Sequence, residues 1–429
     1  MNGNGGAIRG PVNGTSPFAA RDVRLLFATR AVRLFAYGFL SVVLVLYLAA
    51  AGLSEARIGL LLSLTLAGDT AISLYLTTRA DRLGRRAMLL AGAGLMVFAG
   101  ALFAVTGNFW LLLLAATVGV ISPAGNEVGP FLAIEQAALS EALPAERRTG
   151  AFAWYTLFGS FATALGSLAG GALASALQRA GAAPLNSYRA VVVGYGALGL
   201  ALGVLFTRLS HGVEAPAARR AAPPGRPSFL QRSLGLSSSR GVVLKLSALF
   251  SVDAFAGGFV VQAFVAYWFH RRFGADPALL GAIFFGANVL AGVSALSAAW
   301  VARRIGLVRT MVFTHLPSNV LLFLVPLMPT LPLAMAVLFL RFSISQMDVP
   351  TRQSFTMAVV DPGERSAAAG VTGIARTVGS ALSPLAAGPL YAAPALASLP
   401  FFIAGGLKIL YDLALLVAFG RVAPPEERR

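Results

Sequence analysis

Apolar runs of about 20 residues recur along the whole chain, separated by short polar punctuation. Each run can cross roughly 30 Å of hydrocarbon as an α-helix rising about 1.5 Å per residue. Twelve such spans are predicted, over 24–50, 56–78, 86–106, 109–139, 148–177, 187–208, 242–269, 277–301, 308–328, 331–359, 365–392 and 398–420. Several exceed a straight crossing, which predicts tilt, kinks or protruding ends. The expected class is an all-α integral membrane protein.

Composition agrees. Of 429 residues, 57% are hydrophobic and 12% charged, and the mean hydropathy is +0.75; soluble chains keep about a quarter of their residues charged. The absence of cysteine excludes disulfides, thiolate metal sites and thiol nucleophiles. The Gly/Asn-rich stretch 1–20 lacks an apolar core and is expected to be a disordered tail, leaving the first span as the insertion signal.

A net charge of +17 would suit a nucleic-acid partner, so where the charge lies matters more than its sum. Of 34 basic residues, 23 fall in the tails and even-numbered loops and five, Arg57, Arg179, Arg189, Arg271 and Arg272, in odd-numbered loops. That asymmetry places both termini in the cytoplasm. The other six, Arg30, Arg33, Arg341, Arg352, Arg376 and Lys408, lie in the spans with six acids, Asp69, Glu127, Glu135, Asp253, Asp348 and Asp412. The intramembrane set is neutral, and the excess on loops answers to topology and anionic lipid headgroups without nucleic acid.

The Pro/Ala/Arg-rich stretch within 209–240 cannot bury a core and divides the spans six and six. Domains are expected at 21–208 and 241–420, with that linker between them and a tail at 421–429. An internal repeat supports the division. ALPAERR (142–148) and VVDPGERS (359–366) align Pro144 with Pro362, Glu146 with Glu364 and Arg147 with Arg365; RLFAYGF (33–39) aligns with DAFAGGF (253–259). Gly59, Arg82 and Gly84 align with Gly281, Arg304 and Gly306. Six spans per half make the repeat parallel, about an axis along the membrane normal.

Between spans two and three the chain reads TTRADRLGRRAML. This loop resembles the signature of the major facilitator superfamily, commonly Gly-x-x-x-Asp-Arg-x-Gly-Arg-Arg/Lys. Asp81, Arg82, Gly84, Arg85 and Arg86 match, and Thr77 stands where the first glycine is usual. A degenerate second copy stands at ARRIGLVR (302–309). The resemblance implies a secondary transporter of two six-helix bundles. It also implies that Asp81, Arg82, Gly84, Arg85 and Arg86 latch the halves against span eleven in the outward-facing state. Physically, a tight reversal here calls for a positive φ, which Gly84 can adopt, and the arginines sit on the cytoplasmic face.

An ionisable group inside the bilayer costs a few kcal/mol and is a functional hypothesis by default. Asp69, near mid-span, is the candidate proton carrier, since burial disfavours a charged carboxylate. Glu127, Arg341 and Arg376 are further candidates for substrate or proton, the two arginines lacking a local partner. Arg33 and Asp253, equivalent by the repeat and opposite in charge, are candidates for a gate between the halves. Glu135 is expected to pair with the signature-loop arginines, Asp348 with Arg352, and Lys408 with Asp412, the last two at i,i+4 spacing. The glycines of GSFATALGSLAGG in span five resemble the superfamily's antiporter signature, with Ser167 in place of its proline.

These features predict alternating-access transport of a small molecule across the cytoplasmic (inner) membrane by a monomer. Proton-coupled export of an amphipathic compound is the first expectation, uptake of an organic anion its alternative, and a non-transporting sensor of the same fold a third. Export of cations would use Asp69, Glu127 and Asp253; an anion would use Arg33, Arg341 and Arg376. His211, His270 and His315 show no metal or triad spacing. No cofactor, metal or catalytic residue is expected.

Overall fold

The computed structural model describes residues 17–143, 145–214, 239–361 and 364–420. Residues 1–16, most of the linker, Pro144, Pro362 and the tail 421–429 lie outside the described residues. Everything regular among the described residues is helical. The first half holds α1 (Pro17–Ser41), α2 (Leu44–Ala50), α3 (Glu55–Leu83), α4 (Arg85–Val105), α5 (Phe109–Val118), α6 (Phe131–Ala142), α7 (Ala145–Arg179) and α8 (Pro184–Thr207). The second holds α9 (Arg240–Gly258), α10 (Gln262–Phe273), α11 (Pro277–Ile305), α12 (Leu307–Leu324), α13 (Leu331–Ser345), α14 (Asp348–Ala358), α15 (Arg365–Ala392) and α16 (Leu399–Phe419).

Among these residues nine helices are long and apolar enough to cross a membrane, or ten if α1 and α2, bent by 43° at residues 42–43, form one span. Two expected spans fall outside that set. The segment 109–139 is not one helix: α5 stops after ten residues, and Pro123, Gly125, Gly129 and Pro130 lie in an irregular stretch before α6. Proline lacks the donor a helix needs, and Gly125 and Gly129 take φ of +69° and +83°, which ends the helix here. The other, α15, is a continuous 28-residue helix, but rich in Ala, Gly and Ser.

Local chemistry sets the helix ends. Ser54 caps α3 and Asp276 caps α11, Asp276 accepting from the Leu279 N–H at 2.7 Å. The repeat is realised in the backbone: α3 ends at Gly84 with φ +106° and α11 at Gly306 with φ +86°, each N–H returning to the carbonyl four residues earlier. Both glycines turn the chain straight into the next helix.

Small residues let helices approach closely. Gly166 and Gly170 of α7 lie against the backbone of Phe35 and Phe39 on α1, and Gly100 of α4 against Gly196 of α8. Between the halves, Gly59 of α3 crosses Gly388 of α15, and Gly171 of α7 crosses Gly281 of α11. Large apolar side chains such as Val105, Trp110, Trp300 and Val417 face outward, as lipid contact requires.

Candidate functional site

Each half buries a charge network. In the first, Arg33 is fully buried on α1. It donates two parallel hydrogen bonds to Glu135 on α6, at 2.9 and 2.7 Å, and a third from Nε to Glu127 at 2.8 Å. Arg30 donates to the other oxygen of Glu127 at 2.7 Å. The hydroxyls of Thr29, at 2.7 Å, and Tyr155 also donate to Glu135. Two guanidinium groups thus neutralise two carboxylates, and forked geometry satisfies the lone pairs that burial strips of water.

The second network inverts the polarity. Asp253 on α9 accepts from Lys408 of α16 at 2.6 Å and from Arg352 of α14 at 3.1 Å, and Arg376 of α15 stands 3.6 Å away. Arg352 also donates to Asp348 at 3.0 Å. His315 on α12 shares a hydrogen bond with Asp412 at 2.8 Å, its other ring nitrogen lying 3.9 Å from Asp253, and Asn319 donates to Asp412 at 2.9 Å. An arginine on α1 faces acids, and an acid on α9 faces cations.

Several sequence expectations change partners here. Arg33 and Asp253 do not meet; each pairs within its own half. Glu135 binds Arg33, and the signature loop takes Glu141 instead, which accepts from Arg85 at 2.7 and 3.1 Å. Lys408 reaches Asp253, while Asp412 takes His315 and Asn319. The Asp348 and Arg352 pair is as expected. Asp81 accepts from Arg85 at 2.8 Å, and Glu214 accepts from the backbone N–H of Arg85 and Arg86 at the start of α4. A carboxylate at a helix N-terminus is favoured by both the free N–H groups and the dipole. In this conformation Arg85, Arg86 and Asp81 bond to the first half and to the start of the linker.

Three intramembrane charges are left without a close ion pair. Asp69 stands 14 residues from either end of α3, about 21 Å along the axis. Its carboxyl faces the backbone N–H of Gly129, and Oδ1 is buried with no hydrogen bond. Arg341, ten residues into α13, lies over the Phe342 ring at 5.0 Å with a buried, unbonded Nε. Arg376 keeps 35% of its side chain exposed, and its Nη1, though near Asp253, makes no hydrogen bond.

The contacts that join the halves gather at the end away from the signature loop. Glu55 of α3 accepts from Tyr267 and Arg271 of α10 at 2.8 and 3.0 Å, and Ser175 of α7 accepts from the Ala278 N–H at 2.9 Å. Nearer mid-depth, Gln262 donates to Ser41 and Ser167 while accepting from Asn288. The Gly59–Gly388 and Gly171–Gly281 crossings lie at the same end. Sequence reasoning missed several members of these sites, Glu141, Asn319, His315 and Glu214 among them. His315 is 97 residues from Asp412, and no local pattern signals that pairing. Glu214 opens the linker, where the charge run masked a helix cap. Among the described residues no group of three or more His, Asp or Glu side chains is placed to hold a metal ion.

The chain resembles known proteins along most of its length. Residues 26–384 match the family profile described as Major Facilitator Superfamily. The uncharacterized membrane protein YJR124C of Saccharomyces cerevisiae is 33% identical over 429 residues, covering 94% of each chain. Among solved structures, the fold is similar to a bacterial homolog of the human lysosomal transporter Spinster in an inward-facing, unoccupied conformation. That likeness has a TM-score of 0.69 at 16% identity, over 95% of this chain and 96% of the other. A D-xylose-proton symporter is similar at TM-score 0.70 and 16% identity, over 95% and 98%.

Proposed function

The chain belongs to the Major Facilitator Superfamily and is a multi-pass membrane transporter; from that premise we propose that it moves a small molecule by alternating access, coupled to protons through Asp69. The observation that carries this reading is the division of labour among polar contacts. Charge networks close within each half, so each half can move as a body, while the bonds between halves gather at one end and can be exchanged for others. Twelve crossings follow if α1 with α2, α5 with α6, and α15 are each counted as a span. The signature loop and both termini then face the cytoplasm of an inner membrane, and the conformation described is open inward, like the Spinster homolog. A monomer suffices, because each half supplies its own network.

Asp69 suits proton carriage because its Oδ1 is buried at mid-depth with no hydrogen bond and the carboxylate has no ion pair among the described residues, so protonation removes the cost of its charge. The neighbouring D-xylose-proton symporter makes proton coupling a familiar use of this architecture. Gly166 and Gly170 of α7 serve contact with α1 and Gly171 contact with α11, and such packing is compatible with either direction.

The test is solute-triggered proton movement in everted membrane vesicles energised to an inside-acid gradient, with panels of organic cations and anions. Solute-dependent proton movement in either direction that requires an intact Asp69, and is lost in Asp69→Asn, supports the reading. Solute flux that is unchanged in Asp69→Asn would remove the proton assignment, and binding with no flux would replace the transporter with a sensor.

A further inference from the structure

The intramembrane charges balance over the whole chain but not within either half. The first half sets Arg30 and Arg33 against Asp69, Glu127 and Glu135; the second sets Arg341, Arg352, Arg376 and Lys408 against Asp253, Asp348 and Asp412. One half carries an extra acid and the other an extra base. The geometry identifies which. Glu127 and Glu135 are held by the first half's two arginines, which leaves Asp69 over. Arg352 and Lys408 hold Asp253 and Asp348, and Asp412 is satisfied by His315 and Asn319. Arg341 and Arg376 remain against the charge of Asp412, so together they carry the second half's surplus, Arg376 being loosely tied to Asp253 at 3.6 Å.

Nothing around Asp69 cancels its charge. Glu127 faces it from the stretch before α6, and Tyr37 and Tyr195 face it from α1 and α8. Those tyrosine hydroxyls are directed elsewhere, to the carbonyls of Val128 and Val120. Around Arg341 and Arg376 the neighbours are Asp253 and Asp348, already engaged, the positive Arg352, and Tyr411. An unpaired charge at bilayer depth costs a few kcal/mol, and both arginines retain donors that meet no acceptor.

Resting on the transporter reading above, we propose that the protein carries one proton on Asp69 together with one monovalent organic anion that answers the positive surplus of Arg341 and Arg376, an electroneutral symport. A single proton and a single negative charge cancel the surplus of both halves at once. An empty or fully loaded carrier then presents no change of net charge as its halves rock, which lowers the cost of moving through the low-dielectric core. The guanidinium forks fit a carboxylate or sulfonate, and the Phe342 ring beside Arg341 suits an apolar body attached to it. With protons entering down their gradient, the anion moves inward.

The experiment uses the purified full chain in liposomes with an enclosed pH dye. The probes are a size series of aryl sulfonates, beginning with benzenesulfonate, and N-methyl-4-phenylpyridinium as a fixed cation. Sulfonates stay ionised and cannot cross the lipid as neutral acids, so any proton signal belongs to the protein. The expected result is sulfonate and proton entry at one to one, insensitive to a potassium diffusion potential clamped with valinomycin. Arg341→Gln and Arg376→Gln should each cut sulfonate uptake at least tenfold, with Arg341→Lys recovering part of it. Asp69→Asn should abolish accumulation driven by a pH gradient while leaving sulfonate exchange. Size-exclusion profiles identify any variant that has lost its fold.

Proton movement with the pyridinium cation and none with sulfonates would overturn the anion assignment and leave the transporter reading intact. Absence of flux for both charge classes would count against that reading itself. Recovery of transport in the exchanged pair Asp69→Arg with Arg341→Asp would show that the two residues neutralise each other directly in another state, which also overturns the proposal.

Discussion

Arg33 and Asp253 occupy equivalent places in the two halves, yet Arg33 bonds to Glu127 and Glu135 while Asp253 bonds to Arg352 and Lys408. Opposite charges at matching positions have each found partners inside their own half. In this conformation, read above as open inward, the two residues act as internal fasteners, and a specific mutational outcome follows.

Truncating a fastener should destabilise the half that contains it. Arg33→Ala leaves Glu127 and Glu135 facing each other without their shared cation, and breaking one side of a buried pair typically costs about 3 to 5 kcal/mol. The melting temperature in detergent should fall sharply, and Glu135→Gln in the same chain should recover part of the loss. Exchanging Arg33 and Asp253 with each other should recover nothing, because neither residue touches the other. Recovery by that exchange would return the pair to the role of a gate.

How far the sequence disclosed this arrangement depends on range. The hinge at Gly84 was legible because Asp-Arg-x-Gly-Arg-Arg is local, and its copy at Gly306 followed from the constant offset. The Asp348 and Arg352 pair was legible for the same reason, lying one helical turn apart. Partners 94 to 155 residues apart, such as Glu127 for Arg33 or Asp253 for Lys408, are set by helix packing, and spacing within a helix says nothing about them. The break between α5 and α6 was a different kind of miss. Pro123, Gly125, Gly129 and Pro130 announce it in the sequence, but hydropathy over 109–139 outweighed them.

The closed end offers a direct handle, since the chain has no cysteine to interfere. The Ala278 N–H donates to the Ser175 hydroxyl at 2.9 Å, so cysteines placed at these two positions should lie within reach of each other. The double variant Ser175→Cys with Ala278→Cys should form a disulfide under mild oxidant, and transport should stop until a reductant is added. A pair that never cross-links, or that cross-links without stopping transport, would argue against exchange of contacts at this end.

Glycines at the crossings between halves should control the same equilibrium. A β-carbon on Gly171 would run into the Pro277 carbonyl on α11, and one on Gly59 into the Pro384 carbonyl on α15. Gly171→Val and Gly59→Val should therefore fold but fail to close this end, since each half keeps its own packing. The cross-linking yield at positions 175 and 278 should drop severalfold in either background. An unchanged yield would mean that the crossing tolerates side chains and is not a close-approach site.

The ion pair that ties Glu55 to Arg271 should matter far less than its position suggests. Arg271 is 38% and Glu55 22% exposed at the side chain, so water screens their attraction, and such pairs are worth about 0 to 1 kcal/mol. Glu55 nevertheless also accepts the Tyr267 hydroxyl at 2.8 Å, a bond between the halves that survives loss of the arginine. Arg271→Gln should thus shift the cross-linking yield by less than twofold, whereas Glu55→Ala, which removes both bonds at once, should lower it further than Arg271→Gln and Tyr267→Phe measured separately. Equal effects from Arg271→Gln and Glu55→Ala would assign the closure to the exposed ion pair and leave the tyrosine without a part in it.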